Sequence, residues 1–279
     1  MRQLSPNVYV NLEWEGPSLG LIVTKAGNIL IDTPDAPTES VAWRREVEKI
    51  GRIKYLINTD GHPDHYFGDY FFPGTLVASS GARDVMAKTT KEEVLARVRK
   101  GDPGGVPLMA RYRVKAPAIT FWEGTMELQV GGQPIRLLHT GGHSPNLIAI
   151  HIPKEKVVFC GDNINWHHKT RLHDADPVKW LAALGMLREL DVDILVPGHG
   201  HNVFGKEYIA EQADIVRKWT DAVTKALKLG WTVDEAIKRI KCPDPYPTSK
   251  RSPNTEEEVN AQIINRLYRY FQDAAVANG

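Results

Sequence analysis

The sequence predicts an α/β fold, an αββα sandwich with a C-terminal helical extension. Short β-rich runs and amphipathic helical runs occur in two similar halves of the chain, without one long βαβ series, which is typical of two sheets covered by helices. After about residue 205 the pattern becomes purely helical. We therefore divide the 279 residues into a main domain, 1–205, and a helical extension, 206–279, packed on that domain or on a partner subunit.

The first half opens with β-rich runs that Gly16, Gly20 and Gly27 separate, as in a meander. An amphipathic helix follows, and Ser80 is the predicted N-cap of a later helix. Glycine and proline interrupt the end of this half, which indicates a long loop. The predicted elements are strands at 7–11, 19–24, 28–31, 53–57 and 75–79, helices at 37–51, 80–88 and 91–100, and a loop at 101–118.

The second half repeats the change from strands to helices. Strands dominate between residues 119 and 162, where Gly131 and Gly132 mark a turn. The chain then alternates helix, strand and helix before the helical extension. The predicted elements are strands at 126–130, 135–139, 147–152, 157–160 and 194–196, and helices at 177–190, 207–229, 233–240 and 256–275.

The composition excludes several classes of protein. There are 35 Lys and Arg against 34 Asp and Glu, so the chain is not built to coat nucleic acid or an anionic membrane. No run approaches about 18 apolar residues, which excludes a transmembrane helix, and no secretory signal is visible, so we expect a cytoplasmic protein. Cys160 and Cys242 are far apart and give no disulfide framework.

A dense group of metal-ligand residue types follows the predicted strand at 53–57. The run is Asp60-Gly-His62-Pro-Asp64-His65, with four potential ligands within six residues. Imidazole nitrogens and carboxylate oxygens in this proportion suit zinc, manganese or iron. The alternative is a polar loop whose histidines only bond to the backbone.

Three further strand ends carry the same residue types. They are Gly142-His143-Ser-Pro, Cys160-Gly-Asp162-Asn and Pro197-Gly-His199-Gly. Ligands at four independent strand ends favour a metal site over a polar loop.

With these motifs the sequence resembles the metallo-β-lactamase superfamily over about residues 5–205. The family pattern is His-x-His-x-Asp-His, followed by a distant His, a distant Asp and a final His at strand ends. The resemblance implies a catalytic main domain with one or two divalent ions, Zn²⁺ first and Mn²⁺ or Fe²⁺ as alternatives. It assigns His62 and His143 to one ion, Asp64, His65 and His199 to a second, and Asp162 as the bridge between them. Asp32 is similar to the buried aspartate that supports the ligand loop.

One residue departs from the family pattern. Asp60 stands where the family has its first histidine. Aspartate is shorter than histidine, adds a negative charge and favours harder cations such as manganese or iron. The alternatives are a two-metal site that uses Asp60 as a ligand and a single ion at the second site.

The implied chemistry is hydrolysis by a metal-bound hydroxide. A divalent ion lowers the pKa of a bound water toward about 7 to 9, so that hydroxide exists at neutral pH. The resemblance makes Asp64 the catalytic residue that orients this hydroxide and receives its proton. No serine or cysteine nucleophile is required.

Six other residues are candidates for the substrate pocket. Each has a structural alternative: packing for the aromatic residues and an exposed loop for the histidines. The window from Arg83 to Lys115, with nine basic and four acidic residues, is either a basic lid for an anionic substrate or a solvated face. The six candidates are Trp14, Tyr66, Trp166, His167, His168 and His201.

The extension has a broad apolar surface between Ile263 and Phe271, which favours a homodimer or hetero-oligomer, with packing on the main domain as the alternative. The leading functional hypothesis is a metal-dependent hydrolase of a small-molecule ester, lactone, thioester, amide or activated aryl ether, with neither nucleic acid nor membrane as a partner. One alternative is a mononuclear iron oxygenase or sulfur-transfer enzyme on the same fold. A third hypothesis is a non-catalytic binding protein that has lost metal.

Overall fold

A computed structural model describes residues 1–248, 252 and 254–277, with side chains up to residue 273. The strands are β1 (Arg2–Ser5), β2 (Val8–Asn11), β3 (Leu19–Ile22), β4 (Asn28–Ile31), β5 (Ile53–Ile57), β6 (Thr75–Ser79), β7 (Ile119–Phe121), β8 (Thr125–Val130), β9 (Gln133–His139), β10 (Ile148–Ile152), β11 (Val157–Phe159) and β12 (Ile194–Val196). The helices are α1 (Pro37–Ile50), α2 (Pro63–Tyr66), α3 (Ser80–Met86), α4 (Lys91–Gly101), α5 (Pro177–Glu189), α6 (Tyr208–Lys228), α7 (Val233–Arg239) and α8 (Glu256–Ala277).

The strands form two sheets, and their parallel pairs bring four strand ends to one edge of the molecule. The first sheet runs β1 to β7 in chain order, and the second has the order β12-β11-β10-β9-β8. Because β4 and β5 are parallel, their last residues, Ile31 and Ile57, pair with each other. Phe159 and Val196, at the ends of β11 and β12, pair in the same way. Residues just beyond these four ends are therefore close together in space.

The space between the sheets is filled from both sides. Ile31 and Ile57 of the first sheet and Ile150 and Phe159 of the second belong to one buried apolar cluster. Gly20 of β3 lies against Phe159, and a Cβ at position 20 would be 2.6 Å from an atom of that ring. Glycine therefore allows the two sheets to pack at this point.

Helices cover the outer face of each sheet. Trp43 of α1 packs on Leu30 and Leu56, which alternate with the inward-facing residues of the first sheet. Trp180 of α5 and Trp219 of α6 belong to the cluster on the second sheet. The order helix, sheet, sheet, helix confirms the predicted αββα sandwich.

The C-terminal extension continues this second cluster. The apolar face of α8, predicted as a partner surface, is 0 to 3% exposed at Ile263, Ile264, Leu267 and Tyr268, which pack with residues of the main domain. The apolar face of α8 thus packs on the main domain of the same chain. An oligomer stays a prediction. The division at residue 205 also stays a prediction, because one buried apolar cluster contains residues from both sides of this boundary. Among the described residues, no helix has the length and apolarity to cross a membrane.

A few elements differ from the sequence-based expectation. The cap predicted at Ser80 is wrong by one residue, because Ser79 Oγ accepts from the backbone N–H of Ala82. The short elements β1, β7 and α2 were not among the predicted segments. The predicted loop at 101–118 contains a 3₁₀ helix, Pro103–Met109.

A buried carboxyl below the ligand loop makes stability depend on pH. Asp69 is fully buried and accepts hydrogen bonds from Thr33 and Asn58. Burial raises the pKa of Asp69 to about 7. The folded state thus keeps a proton that the unfolded state loses near pH 4, so this residue lowers stability as pH rises from about 4 to 7.

We expect Asp69→Asn to remove this loss. Relative to the parent protein, the variant should gain about 2 to 3 kcal/mol of unfolding free energy at pH 8 compared with pH 5. Urea unfolding at the two pH values measures this difference, with exposed Asp84→Asn as the control. Equal pH dependence in the parent and Asp69→Asn would show that Asp69 is ionised throughout.

Candidate metal centre

The first group of ligand atoms is formed by Asp60, His62 and His143. Asp60 and His62 follow the end of β5, and His143 lies between β9 and β10. Asp60 Oδ2 is 3.1 Å from His62 Nδ1 and 3.9 Å from His143 Nε2. The two imidazole nitrogens are 3.2 Å apart. Three ligand atoms from two distant parts of the chain thus lie close together.

The second group is formed by Asp64, His65 and His199. Asp64 and His65 lie on the single turn of α2, and His199 follows β12. Asp64 Oδ2 is 3.3 Å from His199 Nε2 and 3.9 Å from His65 Nε2. This group also has three ligand atoms directed at a common centre.

Asp162 lies between the two groups. Its Oδ2 is 3.5 Å from His143 Nε2 and 3.4 Å from His199 Nε2, and its Oδ1 is 3.4 Å from His65 Nε2. Gly198 leaves room for this carboxylate, since a Cβ there would lie 2.0 Å from Asp162 Oδ1. One carboxylate therefore faces both groups.

The arrangement fits divalent metal. At metal–ligand distances of about 2.0 to 2.1 Å, tetrahedral ligand atoms lie about 3.3 Å apart, close to most of the separations above. Asp60 Oδ2, His65 Nε2 and Asp162 Oδ1 are buried without a hydrogen-bond partner among the described residues. Leaving such atoms unpaired is costly, and a cation at each of the two groups would satisfy them.

Residues behind the ligands fix their orientation. Asp32 accepts from the Thr59 N–H at 2.7 Å and the Thr59 hydroxyl at 2.6 Å, and its Oδ2 is 3.0 Å from His65 Nδ1. His199 Nδ1 is 2.8 Å from the Gly16 carbonyl oxygen. With one imidazole nitrogen held from outside, the other is directed toward the centre.

Asp60 is held in the same way. Its Oδ1 accepts from the Ser144 hydroxyl at 2.7 Å and from the Gly61 N–H at 2.6 Å, which leaves Oδ2 to face His62 and His143. Sequence reasoning missed Ser144, although it directly follows His143. The carboxylate is thus oriented as a ligand would be.

The electrostatics of the centre favour a cation. Burial raises the pKa of Asp60, but the charges of His62 and His143 outweigh burial and bring this pKa to about 2. Burial lowers the pKa of His199, but Asp162 and Asp64 raise it to about 10. The carboxylates therefore stay ionised and attract positive charge.

Five of the predicted ligands line a cavity of about 170 Å³, together with three basic side chains; these ligands are His62, Asp64, His143, Asp162 and His199. Arg97 of α4 lies with Nη2 3.9 Å from Asp64 Oδ1. Lys169 is paired with Glu256 at 2.9 Å. Arg171 Nε is buried without a hydrogen-bond partner in the described part of the chain, and burial lowers the pKa of this guanidinium. Cationic groups thus stand beside the ligand atoms.

A family model for the metallo-β-lactamase superfamily matches residues 12–199. The chain belongs to this superfamily. It is 25% identical over 264 residues to a linear primary-alkylsulfatase of Pseudomonas sp. (strain ATCC 19151), covering 80% of this chain and 49% of that protein. It is 26% identical over 240 residues to a metallo-beta-lactamase type 2 of Bacteroides fragilis, covering 80% of this chain and 87% of that protein.

Solved structures support the same fold. The sec-alkylsulfatase Pisa1 from Pseudomonas sp. aligns with TM-score 0.71 and 17% identity, covering 96% of this chain and 49% of that chain. A metallo-beta-lactamase family protein from Thermus thermophilus aligns with TM-score 0.68 and 18% identity, covering 98% of this chain and 96% of that chain. The chain spans about half the length of the alkylsulfatases that it matches.

The loop after Asp162 brings one predicted pocket residue into the cavity beside the candidate metal centre. His168 lines the cavity with its ring 5.8 Å from that of His199, and burial lowers the pKa of His168 to about 4. Trp166 and His167 instead stack on each other at 3.7 Å, outside the lining of this cavity.

The other predicted pocket residues also lie outside the lining of this cavity. Trp14 packs edge-on against Trp43 at 6.2 Å. Tyr66 is buried in the core, with its hydroxyl 2.7 Å from Thr89 Oγ1. His201 is exposed, and its Nδ1 is 2.8 Å from the Leu12 carbonyl oxygen. Trp14 and Tyr66 thus have packing contacts, and His201 lies in an exposed loop.

Sequence reasoning missed several residues that line the cavity. His173 lies 5.2 Å from the His62 ring, and burial lowers the pKa of His173 to about 3. Arg171 precedes it on the same loop, and Thr248 and Ser252 come from the C-terminal extension. Two features of the sequence could have indicated some of them. Arg171 and His173 lie on the loop that follows Asp162, and Arg97 lies in the basic window.

Changing Asp60 to the superfamily's histidine tests its role as a ligand. We expect Asp60→His to shift the bound metal from manganese toward zinc, because imidazole is the softer ligand. It should also cost about 1 to 3 kcal/mol of stability, since Ser144 and the Gly61 N–H lose their acceptor in a buried site. Loading with equimolar Zn²⁺ and Mn²⁺, followed by elemental analysis, gives the ratio. An unchanged ratio would exclude Asp60 as a ligand.

Proposed function

We propose that this chain is a metal-dependent hydrolase of a small organic ester that carries negative charge beside the bond to be cleaved. An organic sulfate ester is the substrate class that we favour. The observation that carries the proposal is the presence of Arg97 and Arg171 in the same small cavity as the ligand atoms. Arginine is suited to oxyanions because its planar N–H groups bind two oxygens at once.

The chain's own residues have distinct tasks in this proposal. Asp60, His62 and His143 would hold one ion and Asp64, His65 and His199 a second, with Asp162 between them. When bound, the metal supplies hydroxide at neutral pH and neutralises charge on an ester oxygen. Asp64 has Oδ2 toward His199 and Oδ1 toward Arg97, which keep this carboxylate ionised at the centre. In this proposal it orients the hydroxide and receives its proton.

The basic side chains would hold the substrate. Arg171 has a buried Nε in need of an acceptor, and an anionic oxygen would supply one. His168 is neutral above about pH 4 and can donate a hydrogen bond without adding charge. Together they would orient an anionic group beside the metal ligands.

Two relatives support the sulfate ester class. They are named as a linear primary-alkylsulfatase and a sec-alkylsulfatase. The chain spans about half their length. Sulfatase activity is therefore a proposal for this chain. Zinc, two ions per chain, a cytoplasmic location and a dimer are likewise proposals.

Metal content and hydrolysis of chromogenic esters test the function together. Protein purified without added metal is analysed for metals and then assayed with 4-nitrophenyl sulfate, 4-nitrophenyl acetate and decyl sulfate, with and without chelator. About two zinc or manganese ions per chain and chelator-sensitive hydrolysis of the sulfates support the proposal. One iron ion with oxygen consumption would favour the oxygenase, and no retained metal with no turnover would favour the non-catalytic hypothesis.

A further inference from the structure

The C-terminal extension reaches the metal cavity. Thr248 and Ser252, which precede α8, line it together with the ligand residues. The wall that they form, here called the extension wall, stands in the same cavity as Arg171. A helical annex outside the conventional ligand motifs therefore contributes to the surface that meets the substrate.

Two backbone N–H groups of the loop that carries Arg171 donate hydrogen bonds to the extension. The Lys169 N–H donates to the Pro247 carbonyl oxygen at 2.9 Å. The Thr170 N–H donates to Asp244 Oδ2 at 2.7 Å. Both bonds lie immediately before Arg171, so the position of the extension and that of the guanidinium are linked.

Glu256, at the start of α8, connects the two sides. Its Oε2 pairs with Lys169 Nζ at 2.9 Å, and its Oε1 accepts from both the N–H and the hydroxyl of Thr248. The Lys169 side chain is only 4% exposed, and its Nζ also lies 3.2 Å from Cys242 Sγ. Removing the carboxylate would leave a buried ammonium without its ionic partner, which is costly enough to move the loop.

We propose that Glu256 is a positioning residue for the substrate pocket. By binding both Lys169 and Thr248, it holds the extension wall and the Arg171 loop at a fixed separation. The inference rests on the proposed function, since the pocket is taken to bind an anionic ester. Glu256 touches none of the metal ligands in the contacts above, so its effect falls on substrate binding and leaves metal binding intact.

The test compares Glu256→Gln and Glu256→Ala with Glu257→Gln. Glu257 is exposed on the same helical turn and is the matched control. Three quantities are measured: the reaction rate of Cys242 with a disulfide reagent, the Kd for inorganic sulfate, and KM and kcat for 4-nitrophenyl sulfate. Cys160 is 0% exposed, so the thiol rate of the folded protein reports on Cys242 beside Lys169.

We expect Glu256→Ala to raise the thiol rate, the sulfate Kd and KM about tenfold each, with kcat within about threefold and metal content unchanged. Glu256→Gln should retain the acceptor for Thr248 but lose the ion pair with Lys169, and its values should fall between those of Glu256→Ala and the parent protein. Values equal to those of Glu257→Gln in all three measurements would overturn the inference, as would loss of metal in both Glu256 variants. If the parent hydrolyses no sulfate ester, the proposed function fails and the thiol rate and sulfate Kd still decide the role of Glu256.

Discussion

Substitution of Asp162 by alanine is expected to lower kcat for a sulfate ester at least about a thousandfold and to reduce the metal bound per chain. The reason is geometric, because its two carboxylate oxygens lie 3.4 to 3.5 Å from the ligand nitrogens of His65, His143 and His199. Loss of this carboxylate leaves both groups of ligands incomplete. It also removes one of the three carboxylates whose negative charge balances a cation beside the imidazoles.

The measurement pairs elemental analysis with steady-state kinetics on the same preparation. Asp191→Ala is the control, since this aspartate has an 85% exposed side chain and pairs with Lys156 away from the centre. Asp162→Glu should recover part of the metal, because it restores the charge but not the distance. Full metal content and full activity in Asp162→Ala would contradict the assignment of Asp162 as the bridging ligand.

The ligand atoms could be foreseen because each group depends on local chemistry and strand order. Asp60 and His62 directly follow a buried strand, and Asp162 and His199 follow two more. Parallel pairing then brings these ends to one edge, as the registers of the strands require. Residue types and the ends of strands were therefore enough to predict that these side chains meet. Their division between two ions came from the resemblance to the superfamily, and their role as metal ligands stays a prediction.

The rest of the cavity depends on packing between distant segments, which residue types do not specify. Arg97 comes from α4 and Arg171 from a loop after the second sheet, yet both line one cavity. Trp166 lies outside the lining of the cavity because it stacks on His167. The ring of His167 also stacks on that of Tyr246 in the extension, with centroids 4.8 Å apart. Aromatic stacking of this kind offers no periodicity that a sequence can reveal.

The fold shows the same division. Strands such as β5 and β6 were predicted at their observed bounds because apolar residues predominate in them. The edge strand β1 has two exposed residues of four and carries no such mark. The apolar face of α8 was visible in the sequence, but only tertiary structure shows that the chain's own second cluster covers it.

The other large effect is expected at Arg171. Replacement by methionine keeps most of the side-chain length but removes the guanidinium, and we expect KM for 4-nitrophenyl sulfate to rise about a hundredfold. Hydrolysis of the neutral ester 4-nitrophenyl acetate should change less than about threefold, because that substrate has no charge for the guanidinium to bind. The difference between the two esters isolates recognition of the anion from general damage to the site.

Arg111→Met is the matched control, since Arg111 is exposed and belongs to the same basic window as Arg97. Arg111→Met removes the same single positive charge as Arg171→Met but leaves the cavity unchanged. Comparing the two variants therefore separates contact with the substrate from its long-range attraction to the protein. The same assays at low and high salt separate the two contributions, because screening weakens exposed charges more than buried ones. An equal loss of both esters in Arg171→Met would mean that Arg171 supports the loop, and the anionic substrate class would then lose its main physical basis.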